Sequence, residues 1–360
     1  MEEIVNSYME GNGSKSKSTK QTITTGLKRL EKILSKPFDD LTLKDFSNTE
    51  EILNKTTDLY SLNTTISTIL SIIKFIEFKS KISNAKKDKE NLIEDYRDIL
   101  NELIQQRNSS QGKQEFKEGE KDNWIDYEEL KSQVEFLSNS IYLKNKKSFT
   151  EYRNFLILAL YVLMPPARIG NYLNMLKKDG SNMKQKIDSL PKNHNYIVKT
   201  DNTYTLIFNE YKTSKILGKV KYEIKNEILN KLISKYLEDH NNNSKNKYFM
   251  INASGKQMSQ TGFTNGQSSI TKKLFNKHIT NNMFRRIFFT WFLSTNPSVE
   301  EKQKVLRVSG QNYKPSMVEK YDKKISVEDN PKEKPKDIVQ SVMEKPSQKK
   351  EKVYKSNRIN

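Results

Sequence analysis

The chain has 360 residues, 34% of them hydrophobic and 30% charged, and carries a net charge of +19. That is enough material for two domains with adequate cores, and a surplus of positive charge that suits a polyanionic partner, nucleic acid above all. The absence of cysteine excludes disulfides and thiolate metal sites, and the three histidines (His194, His240, His278) lack ligand spacing, so no zinc site is expected.

The first residues, MEEIVNSYMEGNGSKSKS, hold no apolar signal core, and residues 1–17 read as a flexible, polar arm of an intracellular protein that is not secreted. From Ser18 the pattern becomes helical: STKQTITTGLKRLEKIL places Ile23, Leu27, Leu30 and Ile33 on one stripe, with Ser18 or Thr19 as cap. A second helix is predicted from LTLKDF through EEILNK. A third, LNTTISTILSIIKFIEF, carries Ile66, Ile69, Leu70, Ile73 and Ile76, and a charged helix follows over 84–107. Residues 18–107 therefore predict a small all-helical domain. The polar, Gly-containing stretch 108–122 reads as a linker.

Helices over 125–141 and 147–164 open the second domain, 123–325. The second of these includes the longest apolar run, FLILALYVLM, which is too short to span a bilayer and reads as a buried helix. The pattern then turns β-rich: NYIVKT, TYTLIFNEY and KVKYEI predict a small antiparallel sheet or hairpin over 194–224. Helices resume at NEILNKLISKYLEDH, and after 270 at ITKKLFNKH, NMFRRIFFTWFL and VEEKQKVLRV. Residues 326–360 are rich in Lys, Glu, Pro and Ser, the composition of a disordered charged tail. The expected fold is mainly α with a small antiparallel sheet.

Four positions have the chemistry to cut and rejoin a phosphodiester. Arg168 lies in LMPPARIGNYLNML, between a buried helix and the start of another. Arg285 lies inside the apolar helix NNMFRRIFFTWFL, where a guanidinium is costly unless it is paired or binds an anion. Arginine stays charged and bonds two oxygens at once, which suits the developing charge on a phosphorane. Lys212, in FNEYKTSKILGKVKYEI, sits at a strand end where a lysine can protonate a leaving 5′ oxygen, with Lys215 and Lys219 as nearby substitutes. Tyr321, in SGQNYKPSMVEKYDK, ends a Pro-initiated helix beside lysines and can attack phosphorus. Trp291 and Phe292 read as core, not as base-stacking groups.

Taken singly, each has an ordinary structural explanation. In this order and spacing, the set over about 145–325 resembles the tyrosine recombinase (phage-type integrase) family. PPARIGNY is similar to the first arginine box of recombinases from large DNA viruses of eukaryotes and related mobile elements. NEYKTSK matches the hairpin lysine. Asn282-Met283-Phe284-Arg285 occupies the His-x-x-Arg position, and Gly310-Gln311 lies where Gly-His is usual, with Tyr321 ten residues beyond Gln311. A second alignment would set Val308-Ser309 against the family's His-Ser. Asn171 stands where an acidic residue is common.

The resemblance implies a site-specific recombinase or integrase with a helical core-binding domain at 18–107 and a catalytic domain at 123–325, working without metal, ATP or other cofactor. Tyr321 would form a 3′-phosphotyrosyl bond, Arg168 and Arg285 would stabilise the transition state, and Lys212 would be the general acid. Asn282 and Gln311 would assist by hydrogen bonds without titrating near neutral pH. The partner would be double-stranded DNA, held by a homotetramer on two sites, in a host nucleus or a cytoplasmic virus factory. Two other readings stay open: a type IB topoisomerase-like enzyme, for which Tyr313 is the better-spaced nucleophile, and a degenerate recombinase kept for DNA binding.

Overall fold

In α1 (Glu2–Gly11), where a loose arm is expected, Ile4 and Val5 are buried. The arm reading weighed the polar composition of the stretch, but two adjacent apolar residues suffice to hold a short helix against α2 (Lys17–Leu34). The computed structural model describes residues 1–11, 17–82, 87–112, 119–179, 189–239, 241 and 246–312. It divides into two compact units, Met1–Lys113 and Gln114–Asn360.

The first unit continues with α3 (Thr49–Leu59), α4 (Leu62–Ile82) and α5 (Lys87–Gly112). The predicted stripe of α2 is buried against α4, where Ile66, Ile69, Ile73 and Ile76 face inward with Ile72 and Phe75. Leu70 is exposed instead: one residue on from Ile69, it lies at the flank of the buried stripe, away from Ile72 and Phe75. The helix expected over LTLKDF to EEILNK is broken. Thr42 and Asp45 form a capping box on a single 3-10 turn, and the Asn48 side chain accepts from the Glu51 N–H to start α3 afresh. α5 runs on to Gly112, into the stretch expected as linker. Residues 1–113 carry 18 Lys and Arg against 17 Asp and Glu, so nearly all of the +19 lies in the second unit.

The second unit contains α6 (Tyr127–Leu137), α7 (Phe149–Val162), α8 (Ile169–Leu173), β1 (Met175–Asp179), β2 (Asn195–Thr200), β3 (Thr203–Phe208), α9 (Ser214–Leu217), β4 (Val220–Ile224) and α10 (Glu227–Asp239). It ends with α11 (Gln260–Phe275), α12 (Asn281–Ser294) and α13 (Val299–Val308). α7 is the central element: every residue from Tyr152 to Val162 is buried, and α6, α10, α11 and α12 pack on it. Trp291 and Phe292 belong to this core.

The strands form one sheet in the order β1-β2-β3-β4. The three expected strands pair antiparallel, with Val198 opposite Thr205 and Leu206 opposite Tyr222; β1 adds a parallel fourth edge, with Leu176 opposite Tyr196. β1 is hard to read in sequence because MLKKD is short and mostly polar; its backbone bonds bind it to β2 on one side and to Lys247 and Phe249 on the other. The protein is thus mainly helical with a small mixed sheet. Among the described residues, no helix is long and apolar enough to cross a membrane.

α11 begins ten residues before the stretch expected as helix. Ser259 caps it, accepting from the Gly262 N–H at 3.0 Å. Gly262 and Gly266 lower the intrinsic helix propensity of QTGFTNGQSS, yet Gly266 is what lets α11 approach α7. A Cβ there would lie 2.6 Å from the Asn154 side-chain oxygen, which itself receives two bonds from Arg153 at 3.2 and 2.9 Å.

Candidate active site

Arg168 is placed by the end of α7. Pro165 and Pro166 cannot continue a helix, so the chain leaves it extended and turns into α8 with Arg168 as the N-terminal cap residue, half-buried. Arg168 makes no side-chain bond among the described residues, and its buried Nε has no partner there.

Arg285 lies in the second turn of α12, 3% exposed, among Phe284, Ile287, Phe288 and Phe289. A guanidinium in such surroundings requires acceptors. Nη1 donates to the Pro166 carbonyl at 2.6 Å and to the Ser309 carbonyl at 3.1 Å. The second arginine is therefore bonded to the backbone two residues before the first. It is bonded as well to the turn that ends α13. Arg286, its neighbour, points elsewhere and pairs with Glu120 at 2.5 Å, so the end of the stretch expected as linker is fixed on α12. Burial pushes the hydroxyls of Tyr161 and Tyr172 well above the usual phenol range, against an opposing pull from the Arg285 charge, and both stay neutral.

Gln311 is placed by a glycine cap. Gly310 has φ +67, its N–H bonds to the Arg307 carbonyl, and the Gln311 N–H returns to the Leu306 carbonyl at 2.8 Å. This left-handed C-terminal cap folds Gln311 back under α13, where it is 2% exposed. Among the described residues neither its Nε2 nor its Oε1 has a partner.

Lys212 is exposed in the turn between β3 and α9. Its backbone is held from two sides. Asn195, at the start of β2, is fully buried and uses its whole amide. Nδ2 donates to the carbonyls of Asn171 at 3.1 Å and Glu210 at 2.9 Å, while Oδ1 accepts the N–H groups of Asn209 and Glu210 at 2.8 Å each. From the other side, the Thr213 hydroxyl donates to the Gly310 carbonyl at 2.8 Å. The Tyr211 ring flanks Gly310, and Arg307 Nη2 donates to the carbonyls of Leu217 at 3.2 Å and Lys219 at 3.4 Å.

The structure thus joins the Arg168 segment, Arg285, the Gln311 turn and the Lys212 turn through a continuous set of hydrogen bonds. Asn282 is not part of it: it is exposed on the first turn of α12, and the neighbouring Asn281 is the residue with a buried side-chain oxygen lacking a partner among the described residues. Lys215 is exposed on α9. Tyr313, Tyr321 and the tail 326–360 lie outside the described residues.

Two side chains that carried no catalytic role in the sequence reading join the cluster. Asn171, 1% exposed, has Nδ2 buried without a partner among the described residues, 3.7 Å from where a Cβ on Gly310 would lie. Ser309, fully buried, has its Oγ in the same condition. Arg168 Nε, Asn171 Nδ2, Ser309 Oγ and Gln311 Nε2 are all hydrogen-bond donors. Each buried polar group left unmatched costs about 1–3 kcal/mol, so several donors on joined segments suit a guest with several acceptor oxygens and negative charge. Asn195 and Thr213 carry no motif. The only sequence signal for them was their polarity beside a strand.

No protein-family model and no curated protein sequence matches the chain. Among solved structures it is similar to a crystal structure of XerA recombinase, with 14% identity over 89% of this chain and 92% of that chain, and a TM-score of 0.37. A likeness at that level carries no argument about activity.

Proposed function

We propose that the protein is a tyrosine recombinase that breaks and rejoins DNA through a 3′-phosphotyrosyl intermediate. The observation that carries this reading is the group of buried donors that have no partner among the described residues, on the segments that Arg285 ties together. Such a group suits an oxyanion, and a scissile phosphate is the oxyanion that a chain of this charge would meet.

In this reading Arg168, with Asn171, Ser309 and Gln311, binds the non-bridging oxygens, and Arg285 adds charge while holding the Pro166 and Ser309 segments in place. The tyrosine oxygen forms a bond to phosphorus as its proton passes to water. The bond from phosphorus to the 5′ oxygen breaks, and that oxygen takes a proton from the Lys212 ammonium. Rejoining is the reverse. The phosphodiester energy is kept in the phosphotyrosine, so the cycle consumes no nucleotide. Asn282, exposed at the start of α12, would touch DNA flanking the phosphate. The second unit, which carries nearly all of the excess positive charge, would supply most of the affinity for the DNA backbone, and the near-neutral helical unit would add contacts of its own. Strand exchange would use a homotetramer on two duplexes.

The test is covalent capture. Nicked duplexes with random central sequence are incubated with the protein, and DNA attached to it is recovered under denaturing conditions. Attachment should be lost in Tyr321→Phe and kept in Tyr313→Phe, with non-covalent binding nearly unchanged in both. Loss in Tyr313→Phe alone would favour the topoisomerase-like reading. Salt-dependent binding with no attachment from any pool would leave a DNA-binding protein without strand-transfer activity.

A further inference from the structure

The turn carrying Lys212 is a short segment between two strands, a place where a lysine would ordinarily swing freely. Here it is fastened to α13 and its cap at both ends. On one side of Lys212, the Thr213 hydroxyl bonds the Gly310 carbonyl at 2.8 Å, and the Tyr211 ring flanks Gly310. On the other side of α9, Arg307 bonds the Leu217 and Lys219 carbonyls at 3.2 and 3.4 Å. The Tyr211 hydroxyl closes the loop on itself through the Gly218 carbonyl at 2.7 Å. The turn it is fastened to is the one Arg285 grips through the Ser309 carbonyl, and the one that presents Gln311.

We infer that Thr213 and Arg307 are positioning residues that join the Lys212 loop and the Ser309–Gln311 turn into one body. The inference rests on the strand-transfer reading. Its consequence is that the proton donor cannot move independently of the phosphate-binding groups. Neither residue touches the substrate. Each acts through the backbone that carries Lys212.

The step that depends on Lys212 is departure of the 5′ oxygen, which leaves with the bonding electron pair and takes the lysine's proton. An alkoxide is a poor leaving group, close to hydroxide, because its conjugate acid is very weak. A thiolate, from a thiol of pKa about 8.5, leaves without a proton. Attachment is therefore measured on two duplexes recovered by covalent capture, identical except that one has sulfur in place of the bridging 5′ oxygen at the cut.

Lys212→Ala should slow attachment roughly 100-fold or more on ordinary DNA and be restored by sulfur. Thr213→Val and Arg307→Met should slow it about tenfold and likewise be restored by sulfur, since they misplace the same acid. Thr213→Ser, which keeps the hydroxyl, should behave as the parent. Thr213→Val and Arg307→Met that are slowed equally on both duplexes, or on neither, while sulfur rescues Lys212→Ala, would overturn the positioning role alone. If sulfur fails to rescue Lys212→Ala, the assignment of Lys212 as the acid falls, and the positioning role with it.

Discussion

Replacing Asn195 by alanine removes four hydrogen bonds at once. Two carbonyls, of Asn171 and Glu210, lose a donor, and two N–H groups, of Asn209 and Glu210, lose an acceptor. The bond to Asn171 is fully buried and the other three are partly buried, so the penalties lie towards the low end of the range for most of them. Taking about 1 kcal/mol for each partly buried group and up to about 2 for the buried one gives a loss of about 3–5 kcal/mol. That is a large part of the roughly 5–15 kcal/mol that holds a domain together. Urea unfolding followed by circular dichroism should show the midpoint falling by more than about 1 M with the slope unchanged.

Asn195→Asp separates the contributions. It keeps both acceptor bonds but faces the Asn171 and Glu210 carbonyls with a carboxylate. Its pKa in the folded state should therefore rise above the unfolded value of about 3.9. A carboxyl with a raised folded pKa binds protons more tightly when folded, so this variant should recover stability relative to the parent as pH falls from 7 towards 5. A loss below about 1 kcal/mol in Asn195→Ala, or an Asp variant whose deficit is the same at both pH values, would refute the view that this amide welds the Arg168 and Lys212 segments together.

Gly266→Ala should destabilise the second unit by about 1–3 kcal/mol, because the new methyl meets the Asn154 oxygen that Arg153 holds in place; thermal unfolding checks this, and a neutral result would mean that α11 can move off α7 freely. Arg168→Ala and Arg285→Ala should each slow DNA attachment by about 100-fold or more. Only the second should also lower the unfolding midpoint, since Arg285 alone has two buried carbonyls to leave unmatched. Equal stability loss in both would contradict the assigned contacts. The proposed set of groups contains no imidazole, so the attachment rate should show no inflection near about pH 6.5. An inflection there would point to a titrating group outside that set.

Much of this was legible in the chain itself. Where apolar residues repeat at helical spacing, as in α2, α4, α12 and α13, burial of one stripe decides the structure locally, and the helices form where the period says. β2 and β3 were equally plain, because β-branched and aromatic residues cluster there between turn signals. A charged side chain in the apolar run of α12 announced that Arg285 must find acceptors, since the cost of leaving it bare does not depend on the rest of the fold.

What the acceptors are, two carbonyls 143 positions apart at Pro166 and Ser309, only the tertiary structure decided. The same holds wherever a distant neighbour overrides a local preference. Gly266 weakens a helix in isolation and permits one against Asn154. MLKKD becomes a strand because two other segments offer it backbone partners. Residues 41–55 look like one helix until Asp45 and Asn48 spend their side chains on capping two. The roles of Asn171, Asn195, Thr213 and Ser309 could not be read in sequence for a related reason. A short polar side chain is equally at home in water, and only the packing around it shows whether its hydrogen bonds are satisfied by the fold or kept for a ligand.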